Sequence, residues 1–192
     1  MEGETRMRKK TAAALLCLAL CLCALTGMAS AEDKTLLGSV EMKGAFTLRC
    51  ALPEGYTAEV LQNDPDYHLA VIAAEDESRP QIMLSIAFDE LLADVERLND
   101  LDEAALAELE ASFREEDEVE ITYMFTSHGT KLLVAREIAD GVSYVDFFTI
   151  YQGYEIEMVL NRGADFAERP ITEEEIQMAV DFLSDLDFEP AE

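Results

Sequence analysis

The chain has 192 residues, and 41 acidic against 14 basic side chains give it a formal net charge of −27. This length is enough for one domain with a buried core. The charge repels phosphate backbones and anionic lipid, which argues against nucleic-acid binding and favours a soluble protein whose partners are cationic or metal-bearing.

The N-terminal residues have the three parts of a secretory signal peptide. Four basic residues precede an apolar run, Thr11–Met28, which ends at the small-x-small triplet Ala29-Ser30-Ala31. This pattern predicts export and cleavage after Ala31. The alternative is an uncleaved membrane anchor, because 18 apolar residues reach the lower range for a spanning helix. Residues 1–31 hold four of the basic and two of the acidic side chains, so the predicted mature chain has a net charge of −29.

The first half of the mature chain predicts β-strands after a polar leader, residues 32–44. Apolar residues alternate with polar ones, and turn-forming residues such as Pro53-Glu54-Gly55 separate the runs. Cys50 lies in the first of these strands, and it is the one cysteine outside the predicted signal peptide. We therefore predict no internal disulfide and a small, buried Cys50. The predicted strands are Phe46–Leu52, Tyr56–Gln62, Tyr67–Ala74 and Gln81–Phe88.

The second half predicts a helix, four strands and a second helix. Asp100 followed by Glu103 has the spacing of a helix cap. Thr172 and Glu175 form a second, clearer capping pattern, and Asp185 begins an acidic C-terminal end. Strand Val142–Tyr151 is apolar on both faces, which predicts a central strand covered on both sides. The four strands are Val119–Phe125, Lys131–Ile138, Val142–Tyr151 and Tyr154–Leu160.

These elements predict one α+β domain over residues 45–188, with 189–192 as an acidic tail. The expected architecture is a twisted antiparallel β-sheet flanked by helices. Phe46-x-Leu48 and Leu52-Pro53-x-Gly55-Tyr56 resemble the opening strand and Pro-Gly-aromatic turn of the PsbP-like fold family. The family often has Trp where this chain has Tyr56, and this chain has no Trp. The resemblance implies an α/β/α sandwich and a binding or assembly role rather than catalysis.

Few residues have the chemistry that catalysis requires. The two histidines, His68 and His128, lie near a strand start and in a turn, and both are predicted to be structural or surface residues. The sequence contains no Gly-x-Ser-x-Gly motif, no catalytic cysteine pattern around Cys50 and no Gly-rich phosphate loop. We therefore predict no catalytic residue and no organic cofactor.

A metal site is the alternative that the residues leave open. Asp64-x-Asp66-x-His68 places three potential ligands on one side of an extended segment, because side chains alternate along it. The segment contains Pro65 and lacks the glycine and distal glutamate of a calcium loop. Asp64, Asp66 and His68 are therefore a candidate site for a divalent cation such as calcium. The acidic stretches Glu115–Glu118 and Glu173–Glu175 are explained by helix ends without a metal.

The sequence favours an exported binding or assembly protein of the cell envelope or the extracellular space. Its expected partner is a protein or a small ligand, with no nucleic acid and no membrane span after signal cleavage. The alternative is a small metal-dependent enzyme or hydrolase that uses surface carboxylates.

Overall fold

The computed structural model of the protein describes residues 46–49, 52–64, 66–114, 119–139, 142–163, 166–185 and 187–190. The predicted signal peptide, the leader, Cys50 and the acidic run 115–118 lie outside these residues.

Seven of the nine described strands form one antiparallel sheet, in the order β2-β3-β4-β8-β7-β6-β5, and β1 pairs with β9 in a separate two-stranded sheet. The predicted α+β class is therefore confirmed. Two residues of the predicted acidic tail, 189 and 190, belong to β9. The strands are β1 (Phe46–Arg49), β2 (Tyr56–Asp64), β3 (Tyr67–Ala74), β4 (Gln81–Phe88), β5 (Glu120–Phe125), β6 (Lys131–Ala139), β7 (Val142–Tyr151), β8 (Tyr154–Asn161) and β9 (Asp187–Pro190).

The sheet lies between two helices, α1 (Glu103–Phe113) and α2 (Glu173–Ser184). Side chains alternate between the faces of a strand, and neighbours in the central strands enter different clusters. Phe147 of β7 packs in the cluster that contains the buried face of α2, whereas Phe148 packs in the cluster that contacts α1. Strand β7 is thus interior to the sheet and apolar on both faces, as predicted. Among the aromatic residues of strands β5–β8, Phe125 is an exception, since it is 59% exposed.

The start of α2 matches the prediction. Thr172 Oγ1 accepts a hydrogen bond from the Glu175 backbone N–H at 3.3 Å, and Glu175 Oε2 accepts one from the Thr172 N–H at 2.8 Å. This reciprocal capping box satisfies two of the donors that a helix start leaves free.

The predicted start of α1 at Asp100 is wrong. The N-cap is Asp102, whose Oδ1 accepts a hydrogen bond from the Ala105 N–H at 2.8 Å. Asp100 instead closes a 3₁₀ turn, Leu98–Asp100, in which Leu98 is fully buried. Because Leu98 is fixed in the core and Leu101 is extended, the N-cap lies two residues after the predicted cap position.

The segment before α1, which has helical spacing in the sequence, forms 3₁₀ turns at Glu90–Leu92 and Leu98–Asp100. Between them, Arg97 is extended and forms an isolated β-bridge with Tyr151 at the end of β7. The segment therefore lies at the same end of the sheet as the β7–β8 turn. In the part of the chain that the structure describes, no helix is long and apolar enough to span a membrane.

Candidate functional site

A cavity of about 520 Å³ lies where the C-terminal end of α2 meets one end of the sheet. Its volume falls within the range of about 300–1,000 Å³ that is typical of small-molecule sites. Four parts of the chain line it. The β5–β6 turn contributes Thr126, His128 and Thr130, and the end of α2 contributes Leu183, Ser184 and Asp185. The sheet contributes Leu132, Thr149, Ile150 and Ile156, and the bridged pair at the sheet end contributes Arg97 and Tyr151.

The β5–β6 turn is held in place from two sides. Gly129 has φ of 78°, a left-handed conformation that glycine adopts without a steric penalty. The Ser127 N–H donates to Ser184 Oγ at 3.1 Å, which joins the turn to α2. Asn99 Nδ2 donates to the Gly129 carbonyl at 3.1 Å, which joins it to the second 3₁₀ turn. The turn is therefore joined both to α2 and to the 3₁₀ turn that follows Arg97.

Three hydroxyl side chains of the cavity wall are buried, and each has a fixed partner. Thr126 Oγ1 accepts from the Thr130 N–H at 3.0 Å, and Thr149 Oγ1 donates to the Lys131 carbonyl at 2.9 Å. Ser184 Oγ donates to the Val180 carbonyl at 2.8 Å. Since these bonds restrict the side-chain rotamers, the polar wall is ordered before any ligand arrives.

Arg97 is the unusual charge of the site. Each of the other arginines whose side chains are described makes an ion pair, a carbonyl hydrogen bond or a contact with an aromatic ring. Within the described part of the chain, the Arg97 guanidinium makes none of these contacts. In a protein with 41 acidic side chains, an arginine left without a carboxylate at a cavity is available for an external anion.

The other charged group at the cavity is Asp185, the C-cap residue that follows α2. Its backbone N–H donates to the Asp181 and Phe182 carbonyls, but its carboxylate makes no hydrogen bond or ion pair to any described residue. The last turn of α2 contains no basic residue. A carboxylate at the negative end of a helix dipole is electrostatically unfavourable, so this corner of the cavity attracts cations.

The candidate metal residues do not converge. The chain reverses between β2 and β3, and the register places Asp64 opposite Tyr67 and His68 opposite Asn63. Asp64 and His68 therefore project from opposite faces of the sheet. Asp64 accepts a hydrogen bond from Gln62 Nε2 at 2.6 Å, and Asp66 lies exposed in the turn. Among the described residues, no three His, Cys, Asp or Glu side chains form a group that could hold a metal ion. Calcium binding stays a prediction.

His68 is a buried, unpaired side chain. It is 1% exposed, and neither Nδ1 nor Nε2 has a hydrogen-bond partner among the described residues. The register places it beside Ile86 on the α2 face of the sheet. Burial lowers the pKa of His68, because the apolar surroundings disfavour the charged imidazolium.

The sequence analysis missed Arg97 and Asp185 and assigned His128 to a surface turn. The sequence places His128 in a turn, and a turn gives no information about which distant residues lie beside it. Arg97 stands in a stretch without regular periodicity, and it reaches the cavity through a bridge to Tyr151, 54 positions away in the sequence.

No model of a protein family and no curated protein matches the chain. Solved structures that match the chain include the following two. The solution structure of cyanobacterial PsbP (CyanoP) from Synechocystis sp. PCC 6803 is 14% identical, with a TM-score of 0.45, and the match covers 85% of this chain and 98% of that chain. A crystal structure from Bacteroides thetaiotaomicron VPI-5482 is 12% identical, with a TM-score of 0.43, covering 79% and 48% of the two chains.

Proposed function

We propose that the protein is an exported binding protein that holds a small polar ligand in the cavity at the C-terminal end of α2. The observation that carries this proposal is the Arg97 guanidinium, which has no partner among the described residues and lies at a cavity whose buried hydroxyls are already fixed. Export rests on the signal-peptide pattern of residues 1–31.

The lining supports binding of a small polar molecule. Leu132 and Ile156 lie beneath the cavity on the α2 face of the sheet, and both are at most 1% exposed, so they offer a ligand little apolar surface. Polar groups surround them on the turn and on the end of α2. A few fixed polar groups are typical of small-ligand sites, where they orient the ligand.

Binding fits the contacts at the cavity better than hydrolysis does. A serine or threonine nucleophile needs a base within hydrogen-bond reach of its hydroxyl. His128 is the one histidine of the cavity, and in the described part of the chain its ring has no hydrogen bond to a hydroxyl. The hydroxyls of Thr149 and Ser184 donate to backbone carbonyls instead.

A cavity-filling variant tests the proposal. Thr130→Phe places a ring in the cavity, and the Thr130 side chain makes no described hydrogen bond that would be lost. A panel of amino acids, sugars and nucleosides is screened by the rise in Tm, because a ligand that binds the folded state raises Tm with its concentration. We expect at least one compound to stabilise the protein and to lose its effect in Thr130→Phe.

Thr57→Phe is the matched control, since Thr57 is exposed on strand β2 away from the cavity. This variant should bind the stabilising compound as the unmodified protein does. Equal loss of binding in both variants, or no stabilising compound in the panel, would overturn the proposal.

A further inference from the structure

Four buried apolar side chains of the sheet belong to neither of the two clusters that pack against the helices. Leu69, Val71, Met83 and Val159 are at most 9% exposed, and both clusters lack them. They come from β3, β4 and β8, which are adjacent strands, so they form one continuous surface. These four residues are the β3-β4-β8 patch.

The strand register places the patch on the α1 face of the sheet. Val71 lies opposite Met83, and Met83 lies opposite Val159. Val159 is two residues from Glu157, and Glu157 lies opposite Phe148, which packs in the cluster that contacts α1. Opposite residues share a face, as do residues two positions apart in a strand. The patch therefore lies beside the area that α1 covers.

The low exposure of the patch requires a covering layer. The sheet residues of the α1 cluster come from β5, β6 and β7, which form the other half of this face. A sheet face without a covering layer is in contact with water. Glu59 shows this, because it lies opposite Val71 on the same face and is exposed. Burial also raises the pKa of Glu157 beside the patch, so water is excluded there too.

We propose that the patch is the docking surface of the leader, residues 32–44. The compact unit that contains the sheet begins at Lys34, whereas residues 1–33 form a unit of their own, which favours the leader over the predicted signal peptide. Apart from residues 1–45, each stretch outside the described residues has at most four residues. Stretches of that length are too short to cover three strands, which lie about 4.8 Å apart.

The leader has the composition and the length to cover the patch. Four of the seven residues from 36 to 42 are apolar, namely Leu36, Leu37, Val40 and Met42. Fully extended, the leader spans about 45 Å, whereas a domain of this size has a radius of gyration of about 15 Å. Burial of both apolar surfaces is favoured by the hydrophobic effect. The leader is thus a layer of the folded domain and not a linker.

Cysteine labelling in the exported protein, after removal of the signal peptide, tests the proposal. Met83→Cys reports on the patch, and Leu84→Cys reports on the opposite face, where Leu84 is fully buried in the α2 cluster. Peptide mass spectrometry follows maleimide labelling at each site. We expect both cysteines to react at least about tenfold more slowly than Thr57→Cys, since Thr57 is exposed on β2.

A double substitution in the leader, Leu36→Asp with Leu37→Asp, removes the apolar contact. Met83→Cys should then label at least about tenfold faster, while Leu84→Cys stays protected, because release of the leader is a local opening. Thr35→Asp with Ser39→Asp is the matched control, since it adds the same two charges at polar positions of the leader. The control should change neither rate.

Three results would overturn the proposal. If Met83→Cys labels as fast as Thr57→Cys in the exported protein, the signal peptide or another molecule is the cover. If the two leader variants give the same labelling rates, the apolar leader residues do not dock. If the apolar variant accelerates labelling of Met83→Cys and Leu84→Cys equally, the leader affects the whole fold and not this face.

Discussion

At the scale of single residues, the protein contains polar side chains in places where burial works against their charged forms. His68 and Glu157 lie on opposite faces of the sheet, His68 beside Ile86 and Glu157 beside Phe148 and Ser85. We expect His68 to lower the free energy of unfolding as pH falls, and Glu157 to lower it as pH rises.

His68 makes the protein less stable in acid. Its folded-state pKa is lowered by burial, so below the ordinary value of 6.5 the unfolded chain takes up a proton that the folded protein rejects. Above pH 6.5, His68 is neutral in both states and the free energy of unfolding does not depend on its titration. As pH falls from 6.5 toward the folded-state pKa, the unfolded chain gains the proton first and the free energy of unfolding falls. We expect His68→Leu to be at least as stable as the unmodified protein at pH 8, since an unsatisfied buried imidazole costs about 1–3 kcal/mol. The advantage of His68→Leu should grow between pH 6.5 and pH 5.

Urea unfolding at several pH values measures the difference between the two proteins, which removes the common effect of the many carboxylates. His128→Leu is the control, because His128 is exposed. A constant difference between His68→Leu and the unmodified protein from pH 8 to pH 5 would contradict the prediction.

Glu157 acts in the opposite direction. Burial raises the pKa of Glu157 above 4.5, and a hydrogen bond that Ser85 Oγ donates at 3.3 Å offsets this only in part. The folded protein therefore holds a proton that the unfolded chain has lost, and stability falls as pH rises above 4.5. The negative charge of Glu157 also contributes to a raised pKa of Tyr67, after burial.

We expect Glu157→Gln to be more stable than the unmodified protein at pH 7 and equal to it near pH 4. A gain of about 1 kcal/mol would raise Tm by about 2–4 °C in a domain of this size. Glu59→Gln, on the exposed face of strand β2, should change Tm little. Loss of stability in Glu157→Gln at pH 7 would show that the carboxylate has a stabilising partner.

At the scale of elements, we expect the stability of α2 to depend more on the ion pair of Glu175 with Arg162 than on the capping hydrogen bond of Thr172. Glu175 accepts the capping hydrogen bond from Thr172, and its carboxylate also binds Arg162 Nη2 at 2.7 Å. The Arg162 side chain is 6% exposed, and it also donates to the Ser78 and Pro170 carbonyls. Arg162 therefore connects the β3–β4 loop, strand β8 and the start of α2, and Glu175 neutralises its charge.

Glu175→Gln should lower the free energy of unfolding by about 3 kcal/mol, because it leaves a buried guanidinium without its carboxylate. Thr172→Ala should cost about 1 kcal/mol, the usual effect of losing a helix cap. Chemical denaturation measures both variants, with Glu174→Gln as the exposed neighbour that controls for the change of charge. Equal costs for Glu175→Gln and Thr172→Ala would mean that Glu175 acts as a cap alone.

At the scale of the whole molecule, local patterns predicted the strands well and the site poorly. Alternation along β7 and the capping box of α2 depend on residues near one another in the sequence, so both could be predicted. The start of α1 could not be predicted in this way, because burial of Leu98 in the core moves the N-cap from Asp100 to Asp102. The cavity is lined by Arg97, the turn near residue 128 and Asp185. These residues are far apart in the sequence, so no local pattern could predict that they lie close together. The separation of Asp64 from His68 likewise follows from the strand register rather than from their spacing.

The charge of the whole molecule supplies the last prediction. A net charge of −27 makes the folded state repel itself, so salt should raise Tm by screening. Calcium and magnesium chloride at equal ionic strength separate this screening from the predicted calcium binding, because screening alone raises Tm equally with both salts. If screening is the whole effect, Asp64→Asn leaves the two shifts equal. A larger shift with calcium that disappears in Asp64→Asn would instead establish a metal site at Asp64, Asp66 and His68, and would require β2 and β3 to rearrange around the ion.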